Sequence, residues 1–120
     1  MFECLVPAGT KVPAPHSHDA FEETVYCLDG VCTWMIDGQL LELGPRDSVC
    51  IRRGQVHGFD NRGDVDARFL AIATPGVFGP AYFQDMAQII AAGGPPDIAA
   101  ITGVMRRHGL TPARPAVSPA

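Results

Sequence analysis

Two histidines lie two residues apart near the start of the chain, and a pair of glutamates follows them closely. His16 and His18 are separated by Ser17, and Glu22 and Glu23 come a few residues later. Alternate residues of a β-strand share one face, so both imidazoles can reach a single metal ion. A histidine pair of this kind also occurs in polar turns, and the motif alone is compatible with either interpretation.

A third histidine stands in a similar setting further along the chain. His57 follows Gly54 and a predicted strand, and Asn61 lies four residues beyond it. Imidazole is the commonest protein ligand of transition metals. Three of the four histidines therefore lie at the ends of predicted strands, in two separate hairpins that folding could bring to one place.

The segment that must position these side chains consists of short apolar runs rich in β-formers. Asp29-Gly30 and Asp37-Gly38 are strong hairpin signals, because glycine tolerates the positive φ of tight turns. Short strands at this spacing predict an all-β sandwich or barrel. The predicted strands cover residues 2–6, 23–28, 31–36, 40–43, 48–51, 56–59 and 67–73.

The pattern changes after Pro75-Gly76, where apolar residues recur at helical spacing. We predict helices over residues 80–92 and 96–108, which either cover the barrel or pack against a second subunit. The predicted organisation is a β-barrel over residues 1–75, a helical extension of the same domain over 76–110, and a flexible tail over 111–120.

The order of these residues resembles the two motifs of the cupin superfamily. The first motif is matched by His16, His18, Glu23 and Gly30, and the second by Asp47, Gly54, His57 and Asn61. The spacing back from Gly30 selects Glu23 over Glu22 for the acidic position. Two positions depart from the pattern: Arg46 stands where the second motif opens with glycine, and Arg52 stands where it has proline. Neither is a ligand position, so these departures concern the turns and the pocket rim.

The resemblance covers most of the chain and implies both a fold and a metal site. The implied fold is all-β, the cupin jelly roll or double-stranded β-helix barrel with two C-terminal helices, as in small single-domain cupins of the quercetinase-like type. The implied cofactor is one divalent transition metal ion bound by His16, His18, Glu23 and His57, and Fe, Mn, Ni, Cu, Co and Zn are all compatible with these ligands. Such a ligand set leaves coordination positions free for substrate, O2 or water.

An open metal site of this type implies a small-molecule metalloenzyme. We expect a dioxygenase-type oxidoreductase that acts on an aromatic or other small organic substrate. Because this fold hosts many activities, two alternatives stay open. One is an O2-independent isomerase, lyase or hydrolase, and the other is a non-catalytic metal- or ligand-binding sensor or storage protein.

Strand alternation predicts what surrounds the ion. Val25 and Cys27 share the inward face of the strand that carries Glu23, and Phe59 and Asn61 lie on the same face as His57. These four residues would form a small, mainly apolar pocket suited to an aromatic or short aliphatic ligand. The apolar ones serve equally well as ordinary barrel filling.

Composition and charge exclude several other classes of protein. The 120-residue chain has a formal net charge of −4 and no basic stripe, which argues against nucleic acid as a partner. No apolar run approaches the roughly 20 residues of a membrane span. The N-terminus lacks the features of an export signal and the cysteines form no Cys-x-x-Cys pair, so we expect reduced thiols and a cytoplasmic location. Seven predicted strands are few for closing the barrel, and we expect a homodimer in which a partner covers an unpaired edge.

Overall fold

A computed structural model describes residues 1–11 and 15–113 of the chain. Within these residues the chain forms nine strands and two helices. The elements are β1 (Phe2–Val6), β2 (His16–His18), β3 (Glu22–Asp29), β4 (Cys32–Ile36), β5 (Gln39–Leu43), β6 (Ser48–Ile51), β7 (His57–Asp60), β8 (Ala67–Thr74), α1 (Ala81–Ala91), α2 (Ile98–Arg107) and β9 (Leu110–Pro112). The seven predicted strands and both predicted helices are present, with ends that shift by at most two residues.

The strands form two antiparallel sheets that face each other. The first sheet has the order β1-β8-β3-β6, and the second has the order β5-β4-β7-β2-β9. Fully buried side chains from both sheets meet between them, among them Val25, Ile51 and Phe69 from the first and Trp34 from the second. Burial of these apolar side chains drives the two sheets together. The all-β architecture with two helices that the sequence predicts is confirmed.

Tight glycine turns set the register of the hairpins. Asp37 and Gly38 both have positive φ, at 49° and 80°, which is the backbone of a two-residue turn between β4 and β5. Gly30 has φ 69° between β3 and β4, and a Cβ there would lie 2.8 Å from the Cα of Ala67. Glycine is therefore required at position 30 for two reasons: the backbone is left-handed there, and another chain segment approaches closely.

The helical extension has an apolar core of its own. Tyr82 from α1 and Ile101, Val104 and Met105 from α2 are buried together with Phe21, which precedes β3. The helix α2 begins at Ile98 because the Asp97 side chain accepts a hydrogen bond from the Ala100 N–H at 3.0 Å, which caps the helix. The two helices therefore pack onto one end of the sandwich.

Two short strands, β2 and β9, are absent from the seven predicted ones, and β9 lies where the sequence predicts a tail. It pairs antiparallel with β2, with His18 opposite Leu110 and His16 opposite Pro112. Leu110 is buried, and the Ala113 N–H donates to the carbonyl of Pro15 at 2.8 Å. The segment predicted as a flexible tail thus starts within a strand, and its residues 114–120 lie outside the described part of the chain.

Two further features are the length of the helices and the state of the cysteines. Neither helix in the described residues is long and apolar enough to cross a membrane. All four cysteines are free thiols, as the sequence predicts, and Cys27 and Cys32 are buried in the core.

Replacement of Gly30 by alanine should lower the free energy of unfolding by about 2–5 kcal/mol, because a side chain in left-handed backbone costs about 1–2 kcal/mol and overpacking about 1–3 kcal/mol. Urea denaturation of Gly30→Ala measures the loss. Gly76→Ala is the matched control, since nothing lies within 4 Å of a Cβ at that position. Equal midpoints for the two variants would contradict this explanation of the turn.

Candidate metal centre

Two neighbouring strands bring three histidines together. Strand β2 carries His16 and His18, strand β7 begins at His57, and His16 lies directly opposite His57 in the antiparallel register. One ligand nitrogen from each of the three imidazoles lies within 4.8 Å of the other two. The Nε2 atoms of His16 and His18 are 3.2 Å apart. The three histidines of the two sequence motifs therefore lie close together, as the motifs suggested.

The ring of His57 is held by the loop before it. Its Nδ1 lies 2.9 Å from the carbonyl oxygen of Gln55, and a carbonyl can only accept, so Nδ1 carries the proton and donates. The loop itself is tied to the β4–β5 turn, where the Asp37 carboxylate accepts from the Val56 N–H at 3.0 Å and from the Gln55 amide at 3.1 Å. Since Nδ1 is protonated, the lone pair of His57 is on Nε2. A hydrogen bond of this kind behind a ligand ring is typical of metal-binding histidines.

His18 is held by packing instead. Its ring stacks on Phe21 with centroids 4.3 Å apart, and its Nδ1 has no hydrogen-bond partner among the described residues. Burial, followed by the neighbouring His57 and His16, lowers the pKa of His18 to about 3. Burial also lowers the pKa of His57, against the opposing effects of the Gln55 carbonyl and Asp37. At neutral pH these two imidazoles are therefore uncharged and present lone pairs.

Glu23 approaches the cluster from the opposite sheet. It lies on β3, is 9% exposed, and places Oε1 3.9 Å from the Nε2 of His18. Burial raises the pKa of this carboxyl to about 7. Glu22 points the other way and forms an exposed ion pair with Arg53 at 3.6 Å, so the structure places the acid favoured by the sequence, and not its neighbour, beside the histidines.

The donor set fits a divalent transition metal ion. Three imidazoles converge, two of them are uncharged at neutral pH, one is oriented by a backbone carbonyl, and a buried carboxylate lies beside them. Imidazole nitrogen with carboxylate oxygen suits Fe, Mn, Ni, Cu, Co and Zn. A bound cation would also compensate the burial of a carboxylate, which is unfavourable without a partner charge.

The histidines and Glu23 open into a cavity of about 250 Å³. Aromatic side chains line much of it: Phe2, Trp34, Phe59 and Phe69 from the sheets, and Phe78, Tyr82 and Phe83 from the helical extension. No lysine or arginine of the described residues lines the cavity. The chamber beside the candidate metal centre therefore suits an apolar, uncharged molecule.

The residues predicted as pocket lining have separate locations. Phe59 lines the cavity. Val25 and Cys27 lie in the core between the sheets, outside the cavity lining. Asn61 is buried, and its amide donates to the carbonyls of Val6 at 3.0 Å and Val65 at 2.8 Å, which fastens a loop. Alternation identifies the inward face of a strand, but it does not give the depth of a residue along the sandwich.

The helical wall of the cavity was missed by sequence reasoning. The segment from Phe78 to Phe83 places three aromatic rings around the opening, and Phe2 contacts Phe83 with centroids 4.8 Å apart. The available signal was the cluster of aromatic residues just before and within the first turn of the first helix. Helical periodicity indicated that this segment covers something, without indicating what it covers.

Arg46 shows how the chain accommodates one departure from the cupin pattern. It has φ 75°, in the left-handed region where the motif places glycine. The turn is fixed nevertheless, because the Asp47 carboxylate accepts from the Gly44 N–H at 2.9 Å and the Asp47 N–H donates to the Gly44 carbonyl at 3.0 Å. The departure thus affects backbone strain in the turn and leaves the histidines in place.

Comparisons with known proteins agree with this geometry. A quercetin 2,3-dioxygenase from Bacillus subtilis is 30% identical over 76 residues, which are 63% of this chain and 22% of that protein. A beta-D-galactosidase from Mycobacterium tuberculosis is 42% identical over 65 residues, 53% of each chain. The crystal structure of a cupin protein from Bacteroides fragilis superimposes with a TM-score of 0.57 and 30% identity, covering 64% of this chain and 67% of that one.

The matched segment spans about a fifth and about half of the lengths of the two relatives, which differ in activity. The family itself is shown by a wider match, because the model of the cupin domain covers residues 2–73, more than half of the chain. With two facing antiparallel sheets, a cluster of three histidines and this match, the protein belongs to the cupin family.

Proposed function

We propose that this protein is a metal-dependent enzyme of dioxygenase type that acts on an aromatic or other apolar small molecule. The observation that carries the proposal is the opening of three clustered imidazoles into an aromatic-lined cavity. Neither feature alone would suffice. Together they support an organic ligand that binds beside a position where a metal ion can bind.

His16, His18 and His57 would hold the ion, and Glu23 is the proposed fourth ligand. An ion held in this way keeps coordination positions free, so it supplies a place where an organic substrate and O2 can meet. The chain contributes the orientation of the rings, through the Gln55 carbonyl behind His57 and Phe21 behind His18.

The cavity determines which substrates fit. Aromatic rings attract flat apolar molecules by burial and by ring-to-ring contacts. A sugar would need several polar partners, which this wall offers only at the metal centre and at scattered positions. Of the activities named for the two relatives, the lining therefore favours one on an aromatic compound over one on a galactoside.

Proton transfer without O2 is a second candidate, favoured by the position of Glu23. Its carboxyl is buried, lines the cavity and lies beside His18. A carboxyl in this position can take a proton from a substrate carbon and return it elsewhere, as isomerases and lyases require. Such an enzyme would turn over its substrate under argon.

The assembly is part of the proposal. Within the described residues the first sheet ends at β1 and β6 and the second at β5 and β9. Sheet edges carry backbone groups that another chain can pair with or cover. We propose that a second copy covers one of these edges in a homodimer.

The metal assignment predicts that His57→Ala loses its ion while remaining folded. Elemental analysis of purified protein should give about one ion per chain in the wild type and close to none in the variant. The reason is that metal affinity depends on the number of ligands, and the variant lacks one imidazole. His108→Ala is the matched control, since His108 pairs with Asp85 at 2.8 Å in the helical layer. Retention of stoichiometric metal by His57→Ala, with loss in His108→Ala, would contradict the assignment.

The proposed activity predicts O2 consumption with a panel of aromatic 1,2-diols and flavonols. The protein is loaded separately with iron, nickel, copper, manganese, cobalt or zinc, and an oxygen electrode follows each reaction. At least one metal should support uptake that is absent in His57→Ala. No uptake with any metal would rule out the dioxygenase activity, and substrate loss under argon would favour the proton-transfer candidate.

The homodimer predicts a mass in solution of twice the 12.8 kDa of the chain. Light scattering coupled to size-exclusion chromatography at micromolar concentration measures it. A monomeric mass would contradict the proposed assembly and would leave the metal centre unaffected.

A further inference from the structure

One phenol of the helical layer faces the cavity. Tyr82 lies in the first turn of α1, is 9% exposed and lines the chamber that holds the histidines. Its ring packs against Phe78, Phe83 and His108, with centroids 5.0, 5.2 and 5.7 Å away. These contacts hold the ring on several sides, so the direction of its hydroxyl is fixed by packing.

The hydroxyl of Tyr82 has no partner in the described part of the chain, where no hydrogen bond involves it. It is also not enclosed: in the described residues, the fully occluded side-chain atoms without a partner are His18 Nδ1 and Trp34 Nε1. A tyrosine hydroxyl in a buried ring normally finds a partner. The oxygen of Tyr82 is therefore not fully occluded, and the residue that carries it lines the cavity.

Tyr82 and the residues of the candidate metal centre line the same cavity. After burial, the charge of Glu23 is the second cause that raises the pKa of Tyr82, so the phenol lies within electrostatic reach of that carboxyl. The other cavity-lining side chains of this helical segment are Phe78, Phe83, Met86 and Ile90, all apolar. Among the described residues, Tyr82 is thus the polar side chain that this helical segment contributes to the cavity lining.

We propose that the Tyr82 hydroxyl donates a hydrogen bond to an acceptor oxygen of the substrate and so selects its orientation. This inference rests on the proposed function in that it assigns the ligand to the same cavity. The substrate class it implies is a flat apolar molecule with a carbonyl or similar neutral oxygen at the end that reaches Tyr82. A carboxylate or phosphate at that end does not fit, because no lysine or arginine of the described residues lines the chamber.

The test compares two small probes that differ in one carbonyl. 1-Tetralone and tetralin share a bicyclic skeleton, and only the first has an acceptor oxygen. Protein-observed NMR titration gives the dissociation constant of each. The variant is Tyr82→Phe, which removes only the oxygen. The matched control is Tyr26→Phe, because Tyr26 lies half-exposed on β3, outside the cavity lining.

We expect wild type and Tyr26→Phe to prefer 1-tetralone over tetralin by roughly two- to twelvefold, the net worth of one hydrogen bond. Tyr82→Phe should lose this preference and bind tetralin as before. Its melting temperature should equal that of wild type, since the lost oxygen bonds to no described residue, and NOEs from the Tyr82 ring to 1-tetralone in wild type locate the probe independently of any variant.

Three outcomes overturn the inference. A preference that persists in Tyr82→Phe assigns the carbonyl to another partner. An equal loss of affinity for both probes shows that the Tyr82 oxygen does not act on the carbonyl. Failure of both probes to bind wild type rules out the substrate class. These measurements need neither turnover nor O2. The two proposals can therefore be tested separately. If no metal supports oxygen uptake, but Tyr82→Phe loses the preference for 1-tetralone over tetralin, the dioxygenase activity is ruled out and the role of Tyr82 is supported.

Discussion

The antiparallel pairing of β2 with β7 is the constraint on which the site depends. It sets His16 opposite His57, and the two-residue repeat of the strand then places His18 on the same side. Strand β2 has only three residues, and its other edge is paired with β9. The position of two candidate metal ligands therefore depends on β9, which lies about ninety residues later in the chain.

The same geometry couples the metal centre to the helical layer. Phe21 stacks on the ring of His18 and also on Phe78, with centroids 5.2 Å apart, and it belongs to the apolar cluster that includes Leu110 of β9. A change in how the helices pack is thus transmitted to His18 through one side chain. The helices complete the wall of the cavity, and they pack against Phe21, which contacts the ring of His18.

Local patterns in the sequence were sufficient for the strands and for the choice of the histidines. The predicted strands 2–6 and 48–51 match β1 and β6 residue for residue, because short β-rich runs between glycine turns have few alternatives. Spacing also selected Glu23, which lies beside His18, over the exposed Glu22. These features depend on periodicity and on nearby residues, which a single sequence displays.

The packing of segments that are distant in the sequence could not be predicted from local patterns. Pro112 suggests a tail, yet it lies in β9, the outermost strand of its sheet, where proline is tolerated because an edge has no ladder bond to lose. The depth of Val25 and Asn61 and the contribution of Tyr82 to the cavity depend on how distant segments pack. Periodicity gives the face of an element but not the partner across from it.

A crystal structure of protein purified without added metal tests the central claim most directly. Anomalous scattering measured across the transition-metal absorption edges would locate and identify any ion. If the three histidines bind a metal ion, we expect one anomalous peak about 2.0–2.3 Å from a nitrogen of each of His16, His18 and His57. Imidazoles that diverge from one another, or an ion bound elsewhere in the chain with this cluster empty, would contradict it.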